Sequence, residues 1–131
     1  MRSLRHWVLE WSNIFFLIPL VLAVHLGVYW YVVVLAAVFV VSFDFHFFHE
    51  AKEVYYLDVI FSSILMLLNV ALLFMGHWAL PFSATALILA LIALLFYFRK
   101  SRSAYYMNHS LWHVFSAGVC YCCLLTFMSS L

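Results

Sequence analysis

The sequence predicts an all-α fold, a bundle of about five transmembrane helices that forms one domain over residues 1–131. Of the 131 residues, 69% are hydrophobic and 8% are charged, whereas a soluble domain carries about 25% charged residues. The apolar stretches do not alternate with polar residues, so helices rather than a barrel must satisfy the backbone hydrogen bonds in lipid. A net charge of +1 gives no reason to expect nucleic acid as a partner.

Five apolar stretches are long enough to cross a bilayer, because about 20 apolar residues span a hydrocarbon core of roughly 30 Å. We predict spans at about 8–26, 28–49, 54–75, 80–98 and 104–128. Gly27 divides the first two, since one helix over residues 8–49 would be about 60 Å long.

The other boundaries follow from polar or helix-breaking residues. The polar segment 50–53 ends the second span, and Gly76 closes the third. Pro81 suits the first turn of the fourth helix, and the basic segment 99–102 precedes the fifth span.

The basic residues predict the orientation of the bundle. With five spans, all of them lie on one side of the membrane: Arg2, Arg5, Lys52, Arg99, Lys100 and Arg102. By the positive-inside rule, the amino terminus is cytoplasmic and the carboxyl terminus is not.

Five polar residues are predicted to lie at a similar depth near the cytoplasmic leaflet. His109 and His113 begin the fifth span and share one helix face, with their Cβ atoms roughly 6 Å apart. His46 lies near the cytoplasmic end of the second span, with Ser42 one turn before it, and Asp58 lies about one turn inside the third. Such residues are unfavourable in lipid and usually mark a site.

These residue types match a catalytic zinc site, in which three neutral histidines hold the ion and one position stays open. We expect His46, His109 and His113 to be the ligands. The ion would activate a water molecule and polarise a carbonyl oxygen. Asp58 could hold and deprotonate that water, and Ser42 could bond the water or the developing oxyanion.

The motifs Ser42-x-x-x-His46, Asp58 and His109-x-x-x-His113, in this order, resemble the CREST superfamily of membrane hydrolases. That group includes alkaline ceramidases, the progestin and adiponectin receptors with their haemolysin III relatives, and myomaker-like proteins, whose branch the His-Ser-Leu-Trp-His segment resembles most. The resemblance implies three zinc ligands, a water-binding aspartate, a supporting serine and a lipid amide or ester as substrate. The family usually has seven spans, so two helices before the last span are missing here.

Several residues allow other interpretations. His49 is a rival to His46 as a ligand, and Asp58 could cap its helix or pair with Lys52. A serine in a span can bond its own backbone, which is the alternative for Ser42. A serine–histidine–aspartate triad is disfavoured, because Ser42 and His46 on one helix are poorly aimed for proton transfer.

Residues outside the motifs receive structural roles. Cys120 and Cys123 are interpreted as small packing residues, and Asn69 as an interhelical hydrogen-bonding group. Two other functions stay open: a non-catalytic, zinc-stabilised receptor or membrane-remodelling factor, and a haem-binding electron carrier whose histidines ligate iron. A second copy of the chain could be needed to enclose a cavity for the lipid, which would make the protein a homo-oligomer.

Overall fold

The computed structural model describes residues 8–47 apart from residue 10, residues 52–99 and residues 103–131. A short 3-10 turn, Asn13–Phe16, precedes five α-helices. They are α1 (Leu17–His25), α2 (Tyr29–Phe47), α3 (Lys52–Met75), α4 (Phe82–Phe98) and α5 (Tyr105–Met128). The described residues contain no strand, and the predicted all-helical fold class is confirmed.

Three of the helices are long and apolar enough to cross a membrane. They supply the segments Tyr29–His46, Glu53–Met75 and Tyr105–Met128. Two shorter apolar helices, Asn13–His25 and α4, accompany them. Large apolar side chains such as Leu91 and Leu95 are exposed, and contiguous apolar surface of this kind marks a face that meets lipid or protein. These features are those of a membrane protein.

The first helix is less regular than the sequence predicts. Instead of one span over residues 8–26, a 3-10 turn separates residues 11–12 from α1. Pro19 accounts for the change, because it cannot donate to the Phe15 carbonyl and its ring would clash with that group in an α-helix. The tighter 3-10 geometry is common at such helix ends.

Helix α5 is the centre of the bundle. It packs against α4, α3, α1 and the 3-10 turn, while α2 packs against α3, α1 and the same turn. Fully buried side chains of three helices form the core between them, among them Leu35, Leu72 and Leu124. The 3-10 turn contacts α2 and α5, the two helices that carry the predicted histidines.

Two glycines allow the connections. Gly27, between α1 and α2, has a φ of 70°, a conformation that glycine adopts without steric cost. Gly76 follows α3, where an added Cβ would lie 2.5 Å from the Thr126 carbonyl oxygen. The absence of a side chain lets the end of α3 approach the end of α5.

Candidate metal centre

The structure brings together the three predicted histidines from two helices. His46 comes from the last turns of α2, and His109 and His113 lie one turn apart on α5. The Nε2 atoms of His46 and His109 are 3.2 Å apart. One ring nitrogen from each of the three histidines lies within 4.8 Å of the others. This group could hold a metal ion.

One of the separations resembles that between two ligands of a tetrahedral ion. With Zn–N bonds of about 2.0–2.1 Å, two ligand nitrogens of a tetrahedral site are about 3.3 Å apart, close to the 3.2 Å between His46 and His109. Those two rings could also share one hydrogen bond, which needs no metal. His113 distinguishes a metal site from a simple hydrogen bond. A bond between His46 and His109 would not involve His113, whereas a metal site would use it as the third ligand.

His113 is the most buried of the three, with 2% of its surface exposed. Its Nδ1 atom lies 2.9 Å from the Ser12 hydroxyl oxygen. Its Nε2 atom is buried and has no hydrogen-bond partner within the described part of the chain. A buried nitrogen with an available lone pair, beside two other imidazoles, is a suitable metal ligand.

Ser42 and Asp58 form a second polar group between α2 and α3. Both side chains are buried, and the Ser42 hydroxyl lies near enough to the Asp58 carboxyl group to influence it. The Asp58 Oδ1 atom is buried without a partner among the residues described, so one carboxyl oxygen can accept a further proton or hydrogen bond.

An apolar cavity of about 150 Å³ extends from the site into the bundle. His113 and Ser42 line it at one end, and Asn69 and Cys120 line it farther along the helices. His113 and Cys120 are seven residues apart on α5, which corresponds to a length of about 10 Å. A cavity of this volume is large enough for a ring of six carbons.

Asn69 fixes the far part of this cavity. Its carbonyl accepts a 2.6 Å hydrogen bond from the Tyr31 hydroxyl, and its amide donates to the Cys120 sulfur at 3.5 Å. These bonds join α3 to α2 and α5, so the predicted interhelical role of Asn69 is confirmed. The three cysteines are free and buried.

The sequence interpretation missed the residues that the amino-terminal segment brings to the site. Ser12 contacts His113, and the Phe16 ring lies 6.3 Å from the His113 ring. Asn13 is fully buried, and neither of its amide atoms has a partner in the parts of the chain described. One signal was present in the sequence: Ser12 and Asn13 are adjacent polar residues in an otherwise apolar stretch.

Two predicted alternatives involve groups that the structure leaves undescribed. His49, the rival of His46, lies outside the described residues, and so does the side chain of Lys52. His25 and His77 are described, are exposed, and do not belong to the histidine group.

No protein-family model, curated protein or solved structure matches the chain.

Proposed function

We propose that the protein is a zinc-dependent intramembrane hydrolase that cleaves an amide or ester bond of a membrane lipid. The observation that carries the proposal is the convergence of three imidazoles at one end of an apolar cavity. His46, His109 and His113 are the proposed ligands. The motif order that resembles the CREST superfamily supports the same assignment.

Zinc, when bound, supplies a Lewis acid that activates water and polarises a carbonyl group. Ser42 lies near the Asp58 carboxyl group, whose Oδ1 atom has no partner among the described residues and accepts a proton from the attacking water. The water oxygen bonds to the carbonyl carbon, and the C–N or C–O bond breaks. The proton then passes from Asp58 to the leaving amine or alcohol.

The cavity supports a lipid as the substrate. It is lined almost entirely by apolar groups and begins at His113 and Ser42. An acyl group that occupies it would bring its carbonyl end to the site, and each buried methylene would contribute about 0.8 kcal/mol to binding. A charged, water-soluble substrate would gain no binding free energy from this apolar lining.

The proposed topology has five spans, with the amino terminus and the site on the cytoplasmic side. At 17 residues, α4 is at the lower limit for a span, about 17 residues. Lys52 begins α3 and Arg99 follows α4, at the connections that adjoin His46 and His109. Acceptor tags for lumenal glycosylation test the orientation. Modification at the carboxyl terminus alone supports it, and modification at the amino terminus contradicts it.

Metal content is the first test of the function. Purified protein should contain one zinc ion per chain by mass spectrometry. His109→Ala and His113→Ala should lose it, because two imidazoles remain. His77→Ala, which removes an exposed histidine outside the group, should keep it. Wild-type protein without zinc, even after incubation with zinc and dialysis, contradicts the proposal.

Lipid turnover is the second test. Zinc-loaded protein in nanodiscs should release fatty acid from a panel of ceramides and phospholipids. Asp58→Asn should retain zinc and lose at least 100-fold in rate, because an amide cannot accept the proton. If the wild type binds zinc but hydrolyses no lipid in the panel, the hydrolase assignment fails.

A non-catalytic function is the second candidate, because the cavity volume of about 150 Å³ is small for a whole lipid chain. In that case zinc stabilises a receptor or membrane-remodelling factor. This candidate predicts bound zinc, unfolding on chelation and no turnover. The possible homo-oligomer matters here, since a second copy could enlarge the cavity, and crosslinking in nanodiscs tests for it.

A haem carrier is less consistent with the geometry. The His46 and His109 ring centroids are 5.0 Å apart and their Nε2 atoms 3.2 Å apart, which leaves no slot for a planar macrocycle between axial rings. Visible absorbance is the test: a Soret band in purified protein would support haem against zinc.

A further inference from the structure

The hydrogen bonds of Ser12 determine which nitrogen of His113 carries the proton. Ser12 lies at the 3-10 turn, and its hydroxyl oxygen is 2.6 Å from the Leu9 carbonyl oxygen and 2.9 Å from His113 Nδ1. A serine hydroxyl has one hydrogen, and the carbonyl can only accept. The Ser12 hydrogen therefore points to Leu9, and its oxygen accepts a hydrogen bond from His113 Nδ1–H.

This arrangement leaves the other nitrogen of His113 ready to bind a cation. A neutral imidazole protonated at Nδ1 has its lone pair on Nε2. That atom is buried, and no hydrogen-bond donor within residues 8–9, 11–47, 52–99 and 103–131 reaches it. The chain from the Leu9 carbonyl through Ser12 to His113 thus fixes both the ring orientation and the tautomer that a metal ligand requires.

We propose that Ser12 is a positioning residue of the metal centre and that the amino-terminal turn is a structural part of it. The inference rests on the proposed metal site. Because Ser12 joins the turn to His113, binding of zinc and docking of the turn on α5 must stabilise each other. Coupling of this kind is reciprocal by thermodynamic necessity.

A purely structural role for Ser12 makes different predictions. The hydroxyl would then only satisfy the Leu9 carbonyl and fill space against α5. Removing it would lower the stability of the metal-free protein without a separate effect on zinc affinity. The metal affinity and the metal-free stability must therefore be measured independently.

The experiment compares three variants in detergent micelles, with zinc affinity measured by competition against a chelator. Ser12→Ala should weaken zinc binding by about 10–100-fold, the usual effect of losing the partner of a ligating histidine. Ser12→Thr keeps the hydroxyl and should restore the affinity to within a few-fold of the wild type. The control is Ser110→Ala, a buried serine on α5 whose hydroxyl bonds only the Tyr106 carbonyl in the described structure, and it should bind zinc like the wild type.

A second measurement uses the wild-type protein, so it does not depend on the folding of any variant. Hydrogen exchange of the amino-terminal segment, residues 8–16, should slow when zinc replaces a chelator. Exchange in the distant loop 76–81 is the internal control and should not change.

The outcomes separate a failure of the role of Ser12 from a failure of the metal site. Equal zinc affinity in Ser12→Ala and the wild type, or unchanged exchange of residues 8–16, overturns the role of Ser12 while the metal site stands. Loss of affinity in Ser12→Ala that Ser12→Thr does not restore also overturns it. Absence of zinc binding in the wild type overturns the proposed function and this inference together.

Discussion

Replacement of His113 by leucine should have opposite effects on stability with and without zinc. His113 Nε2 is buried and lacks a partner among the described residues, and an unsatisfied buried polar atom costs about 1–3 kcal/mol. His113→Leu removes that cost and loses the hydrogen bond to Ser12, which contributes about 0.5–1.5 kcal/mol. Without metal, the variant should therefore lie between about 0.5 kcal/mol less stable and about 2.5 kcal/mol more stable than the wild type.

Zinc should reverse this order. A ligand that binds only the native state stabilises it by about 2.7 kcal/mol when its free concentration is 100 times the dissociation constant. The wild type should gain this stabilisation, whereas His113→Leu, with two imidazoles left, should gain little. The free energies of unfolding of the two proteins should cross between chelator and zinc.

The assay is reversible denaturant unfolding in micelles, in buffered zinc and in chelator, with His77→Leu as the control. His77 is exposed and outside the histidine group, so its replacement should shift neither curve. If His113→Leu is destabilised by the same amount in both buffers, His113 is a packing residue, and the argument from its unpaired nitrogen is refuted.

Three further predictions test the surroundings of the site. Gly76→Ala should lower the free energy of unfolding by about 1–3 kcal/mol, because its Cβ would meet the Thr126 backbone at 2.5 Å. Gly118→Ala is the control: its Cβ would meet only a side-chain methyl group at 3.1 Å, so it should lower the free energy of unfolding by less. Ala93→Leu, which fills part of the cavity, should raise the free energy of unfolding by about 0.5–2 kcal/mol and lower kcat/KM for lipid at unchanged zinc content. Unchanged turnover would exclude the cavity as the acyl site. Asn69→Ala should cost about 1 kcal/mol, because the buried Tyr31 hydroxyl loses its acceptor, and equal stability in urea unfolding would contradict that account.

Local composition was sufficient to predict much of the fold. Apolar length and the polar or glycine breaks predicted α2, α3, α4 and α5 to within a few residues of their observed bounds. The four-residue spacing of His109 and His113 required only that the segment be helical. The convergence of His46 on that pair came from counting spans, because the number of crossings decides which helix ends share a leaflet.

The missed features depend on contacts between distant residues. The pairing of Ser12 with His113 joins residues 101 positions apart, and helical periodicity does not specify which faces of two helices meet. Whether Ser42 bonds its own backbone or Asp58 likewise depends on how α2 is rotated against α3. The 3-10 turn could have been predicted locally, since Pro19 excludes the α-helical bond to Phe15.

The distribution of unsatisfied polar atoms bears on why this bundle tolerates so many buried polar residues. In the described part of the chain, the buried side-chain atoms without partners belong to Asn13, Asp58 and His113. Asn13 and His113 lie on elements that pack together, and Asp58 is near Ser42, which precedes His46 by one turn on α2. Each such atom is destabilising unless something other than the protein binds it. Buried serines farther away, such as Ser83 and Ser110, instead bond nearby carbonyls. Stability alone would favour pairing these atoms as it pairs the distant serines, and we propose that a zinc ion, its water and a substrate carbonyl group are the partners of the His113 and Asp58 atoms.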